Sequence, residues 1–263
     1  ISPYAPLFIP IGVIAFVAFA LRQVKAQEPL IPRGTLKQRA AWGSILVSLF
    51  IGASLIAALV DIPFFARLTI AQNSQLDAAL VLVRFLIALP IGALIGGWML
   101  RFVSAAYLTA GAMLMSAASF WMMSHWEFEA LLDPVSNLVL LACGFGFGLA
   151  VAPVNDALLA STKSEVHGLA SALLIVARMV GMLVGISALT TLGLQAFHRA
   201  VAKLPTVEEL CNGQQTACAA YGSAMRDAGI AQLQAVFTGA MVCALIASTL
   251  ALFVLNPRAS VRP

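Results

Sequence analysis

Thirty residues, from Gly168 to Phe197, carry a single charge, the guanidinium of Arg178. As a helix rising ~1.5 Å per residue, this stretch crosses a bilayer with turns to spare. A cation inside such a segment is costly unless it faces protein or water, which makes Arg178 a functional-site candidate by default. Gly181 and Gly185 follow at four-residue spacing, where small residues let a neighbouring helix approach closely.

The rest of the chain repeats the pattern. Apolar stretches occur at about 4–23, 41–62, 78–100, 104–124, 136–160, 167–198 and 230–255. The 263 residues are 61% hydrophobic and 10% charged, against ~45–50% and ~25% in soluble domains. The expectation is an all-α integral membrane protein of about seven transmembrane helices. A net charge of +4 does not indicate nucleic-acid binding, because no basic run with interleaved aromatics occurs and the positive residues fall in short loops. The chain begins at Ile1, almost at once in an apolar span, and is read as a piece of a longer protein.

Lys and Arg counts orient the spans. One side receives nine positives, among them Arg22, Lys25, Arg33, Lys37, Arg39, Arg101 and Lys163; the other receives Arg67, Arg199, Lys203 and Arg226 with seven acids. The first side is expected to be cytoplasmic, with the N-terminus of this piece outside and the C-terminus inside. Residues 1–24 then form one helix, 25–40 a basic cytoplasmic linker, and 41–263 a six-helix bundle. The polar stretch around 199–228 reads as an external helical hairpin: the sixth span continues toward Lys203, Pro205 breaks it, and Ala219 to Gln234 return. Cys211 and Cys218 lie in its tip, have no His partner for zinc, and are expected to form a disulfide outside the cytoplasm. Cys143 and Cys243 lie within spans and read as small apolar helix residues.

Few ionisable groups fall within the spans. Asp61 and Arg84 lie near the outer ends of two consecutive spans and are expected to pair, as a gate or as a structural ion pair. Asn155 and Asp156 follow Pro153 near the inner end of the fifth span, ~9 Å in depth from Arg178. One reading has Arg178 exchanging acidic partners such as Asp156 as the protein alternates, which couples protonation to conformation. The other has Arg178 bonding carbonyls that Pro153 frees. Gly144, Gly146 and Gly148 alternate and so do not keep to one helix face; close contact on two sides, or local flexibility, is expected.

Two stretches carry a resemblance. Gly144-Phe-Gly146-Phe-Gly148-Leu-Ala-Val-Ala-Pro153 and the following Gly168-Leu-Ala-Ser-Ala through Arg178 to Gly185-Ile-Ser-Ala-Leu are similar to consecutive helices in the C-terminal half of major facilitator superfamily transporters, in the fourteen-helix drug:proton antiporter branch. The resemblance implies half of a major facilitator fold, with the first span as a linker helix. It implies proton-coupled export of hydrophobic compounds, drugs or lipids, across a bacterial inner membrane, together with an N-terminal six-helix half. The long external hairpin resembles the triacylglyceride-exporting members, which work with a periplasmic lipoprotein. One departure stands out: the turn Gly96-Gly-Trp-Met-Leu-Arg101-Phe lacks the Asp of the family's cytoplasmic motif. No phosphate loop, cofactor motif or metal-ligand set is legible, and the three histidines lie outside the spans or at their ends, unlike an enzyme's clustered groups. The rival reading is a seven-helix receptor or signalling protein. It predicts no internal symmetry, whereas a transporter half should superpose its two three-helix units as an inverted repeat.

Overall fold

The computed structural model describes residues 39–69, 74–204 and 219–255. The expected first helix, most of the basic linker and the Cys211/Cys218 pair lie outside the described residues.

Six helices account for nearly all of the rest: α1 (Arg39–Leu68), α2 (Gln75–Met99), α3 (Ala105–Met123), α4 (Pro134–Ala160), α5 (His167–Val201) and α6 (Ala219–Val254). All six are long and apolar enough to cross a membrane, so the chain is a helical multi-pass membrane protein. Their starts follow from local chemistry. Ser74 accepts from the Asp77 N–H and Asp133 accepts from the Val135 N–H, so each caps its helix. Pro134 takes the first helical position, where its missing N–H costs nothing. Helices α1, α2 and α4 continue through Pro63, Pro90 and Pro153.

Helix α6 is continuous over 36 residues, so the returning arm of the expected hairpin and the last span are one element. With α5, at 35 residues, it far exceeds the ~20 residues that a bilayer needs. The early part of α6 is held against the α3–α4 connection. Arg226 lies 4.9 Å over the Phe128 ring, and Gln234 Nε2 donates to the Trp126 carbonyl at 2.9 Å. Trp126 packs in turn on Phe65 and Phe237, in an aromatic chain that continues through Phe120 and Phe147 to Phe85.

Consecutive order does not set the main packing partners of α1 and α2. Helix α2 packs most extensively on α4, α1 on α5 and α6, and α3 on α4 and α6; α1 touches α2 only slightly. Glycines decide this. A Cβ at Gly144 or Gly148 would strike the carbonyl of Phe85 or Leu89 on α2, and one at Gly92 or Gly96 would strike Phe145 or Leu149 on α4. Gly146 points the other way, onto Ser116 and Ala112 of α3, so the alternating glycines serve two neighbours. The α1/α5 crossing is built likewise: Gly52 meets the Arg178 carbonyl, Gly181 the Leu49 carbonyl and Gly185 the Ala53 backbone. Ser48 Oγ donates to the Leu174 carbonyl at 3.0 Å.

The two crossings match residue for residue. Gly144, Phe145, Gly148 and Leu149 of α4 each stand 96 positions after Ser48, Leu49, Gly52 and Ala53 of α1. Phe85, Leu89, Gly92 and Gly96 of α2 each stand 89 positions before Leu174, Arg178, Gly181 and Gly185 of α5. Exchanging α1–α3 for α4–α6 also maps the packed pairs onto one another. The exception is α5 with α6, which pack far more than α2 with α3.

Hydroxyls add cross-helix bonds. Besides Ser48, Ser248 Oγ donates to the Ala110 carbonyl at 2.9 Å, joining α6 to α3. Ser48→Ala is expected to cost only about 0.6 kcal/mol, the average for such bonds between membrane helices, because glycine packing carries the crossing. Unfolding of the full-length protein by denaturant in mixed micelles measures it; a loss of several kcal/mol would mean that the hydroxyl, not the glycines, holds the helices together.

Candidate functional site

The candidate residues Asp61, Arg84, Asn155, Asp156 and Arg178 sit on helices α1, α2, α4 and α5, and the packing order decides which of them meet. Helix α2 lies on α4, so Arg84 Nη1 donates to Asn137 Oδ1 of α4. It does not pair with Asp61. That residue lies half-buried on α1, which barely touches α2, and no ion pair joins it to Arg84 among the described residues. The expected Asp61–Arg84 pair is therefore absent: proximity in sequence misjudged which helices adjoin.

The same cause separates Arg178 from Asp156. Helix α5 packs on α1 and α6 and only slightly on α4. Asp156 is exposed, and Asn155 Nδ2 donates to the Val151 carbonyl, one turn back on its own helix, at 3.3 Å. Arg178 sits where α5 crosses α1, with its carbonyl against Gly52. Its side chain is half-buried, and Nε is shielded with no hydrogen-bond acceptor among the described residues. Neither Asp156 nor a carbonyl near Pro153 serves it. A shielded donor on a cation is a group in want of a partner, because leaving it unpaired costs the full desolvation penalty.

The repeat separates packing from chemistry. Arg178 corresponds to Leu89, Arg84 to Leu173, Asp61 to Ala157 and Asp156 to Val60. Each charged residue thus has an apolar counterpart in a crossing of the same register. Packing does not require the charges. Asn137, whose counterpart is Ala41, escaped sequence reasoning. The one available signal was an amide placed four residues into an apolar helix. Ser48 escaped for a similar reason, since a serine within a span gives no hint of which neighbour it bonds.

Cys143 is buried on α4 and Cys243 half-buried on α6, both free thiols. His167 meets the Thr162 carbonyl at 3.2 Å, which ties the start of α5 to the preceding turn. Met113 and Met123 are fully buried in the core, whereas Trp121 and Met122 are exposed.

The chain is similar to mycobacterial triacylglyceride transporters. It is 36% identical over 202 residues to that of Mycolicibacterium smegmatis, covering 73% of this chain and 36% of the relative. It is 35% identical over 210 residues to that of Mycobacterium tuberculosis, covering 76% and 40%. A probable triacylglyceride transporter of Mycobacterium leprae is 36% identical over 205 residues, covering 74% and 40%. The chain thus spans about two fifths of the length of the curated relatives it matches. No family model matches it.

Proposed function

We propose that the chain is the C-terminal part of a proton-coupled secondary transporter of the major facilitator type, one that exports triacylglyceride-like lipids across a bacterial inner membrane by alternating access. The observation that carries this reading is the residue-for-residue match of the two glycine-lined crossings. If the helices cross the bilayer in turn, α1 and α4 run in opposite directions, so the repeat is an inverted one, the architecture of alternating-access carriers. A receptor has no need of that symmetry. The relatives' names supply the lipid; a hydrophobic drug is the alternative cargo.

Helices α2 and α5 show apolar flanks, with Leu80, Ile87 and Leu94 on one and Ile175, Met179 and Leu183 on the other strongly exposed. An N-terminal six-helix half would cover part of these flanks and supply the other wall of the cavity. In this reading the unpaired Arg178 faces a carboxylate from that half. The pair holds the carrier in one state; a proton on the carboxylate releases it. Asp61, Asp156 and Asn155 line routes by which protons or cargo pass. The N-terminus of this piece lies outside and the C-terminus inside. The α5–α6 extension stands outside the cytoplasm, braced on Trp126 and Phe128, where a disulfide between Cys211 and Cys218 would close its tip and a periplasmic lipoprotein would receive the cargo.

Full-length protein in vesicles loaded with fluorescent triacylglyceride tests the assignment. Net movement of the lipid to acceptor particles is expected, with weak competition from cationic drugs. Correctly folded protein that moves drugs but no triacylglyceride would overturn the choice of cargo; movement of neither would overturn the transporter.

A further inference from the structure

Arg84 and Asn137 form a polar pair that helix packing does not call for. The equivalent positions of the α1/α5 crossing hold Leu173 and Ala41. A guanidinium offers five N–H donors and no acceptor. One of them is spent on Asn137 Oδ1, and the Asn137 amide carries two further N–H donors. The two side chains together therefore present donors and a full positive charge. Asp77 and Asp133, which precede them on α2 and α4, are exposed; Asp133 caps α4, and neither makes an ion pair with Arg84 among the described residues.

Depth narrows the occupant. Gly144 lies level with Phe85, and Asn137 is seven residues nearer the start of α4, roughly 10 Å along the axis. Reaching Asn137 draws the guanidinium toward the ends at which α2 and α4 begin, away from the middle of the spans. Helical side chains lean toward the N-terminus, and long cationic ones reach for the headgroup layer. Both residues are half-buried, so the pair is reachable from outside the bundle. Leu138 and Leu141 of α4, exposed beside it, offer apolar surface for acyl chains.

We propose that Arg84 and Asn137 form a binding site for the phosphate of an anionic phospholipid headgroup, in the leaflet where α2 and α4 begin. A phosphodiester supplies the acceptors and the negative charge that the pair lacks, and guanidinium–phosphate contacts are among the stronger charge-assisted hydrogen bonds. The site stands apart from Arg178 and does not depend on the identity of the cargo.

Native mass spectrometry of the full-length protein tests it, with phosphatidylglycerol against diacylglycerol of the same acyl chains. Phosphatidylglycerol adducts should fall about tenfold in Arg84→Leu, the loss of one charge-assisted contact, with diacylglycerol adducts unchanged; Arg84→Lys should keep most of them. Should Arg84→Leu fail to fold, Asn137→Ala decides, with a smaller but selective loss expected. Undiminished phosphatidylglycerol binding in the folded variants overturns the site and leaves Arg84 to a carboxylate elsewhere in the protein. Displacement of the lipid by excess inorganic phosphate would overturn the lipid as occupant, since the pair would then be a site for free anions.

Discussion

Arg178→Leu is expected to abolish lipid export while leaving the protein folded. The two halves of that expectation come from different observations. Leu89 occupies the equivalent place in the α2/α4 crossing and packs there against Gly148, so leucine suits the geometry that Gly52 imposes on residue 178. In the full-length protein the carboxylate that Arg178 faces loses its cation and stays neutral by keeping a proton. Folding should therefore hold. Transport should not survive, because the switch needs a charge whose partner changes with state. Matched measurements of melting temperature and triacylglyceride export read both halves. Normal export by Arg178→Leu would remove the residue from the mechanism.

Gly148→Leu should be the most damaging single change in the packing. A Cβ there meets the Leu89 carbonyl and the Ala93 N–H group, backbone atoms that cannot turn aside as a side chain does. Overpacking a well-packed site costs about 1–3 kcal/mol where side chains can adapt; here α2 and α4 must separate, and the loss should exceed that range. Gly52→Leu should behave alike on the α1/α5 crossing. Gly111→Leu is the control, because nothing lies within 4 Å of a Cβ at that exposed position. Yields of monodisperse full-length protein and midpoints of thermal unfolding separate the three. Equal tolerance of leucine at 148 and 111 would mean that the crossings are looser than the contact geometry requires.

The helices themselves were legible, because a 20-residue apolar run in a bilayer has few alternatives to a helix. Their ends were less so. Apolarity alone starts the last span near residue 230, but α6 begins at Ala219, since the stretch through Arg226 and Gln234 is held by Phe128 and Trp126, contacts remote in sequence. The glycine pattern at 144, 146 and 148 indicated contact on two sides, and α2 and α3 take those two sides. Polar pairings were not legible. Sequence order suggests Asp61 as the partner of Arg84, because consecutive helices often adjoin, but the small-residue rows bring α2 to α4 instead, where Asn137 lies. Arg178 could be singled out from one line of sequence; its partner could not, because no described acceptor serves it. The repeat was equally hidden. Ser48 matches Gly144 and Leu89 matches Arg178, so the shared register lies in backbone contacts and not in residue identity.

The most direct test of the account is simultaneous measurement of proton and lipid flux through the full-length protein in vesicles, with an acidic exterior on the side that receives the cargo. Wild-type protein should take in protons as triacylglyceride leaves, export should collapse when the gradient is dissipated, and Arg178→Leu should lose both fluxes together. Triacylglyceride export that continues undiminished without a proton gradient would contradict the account.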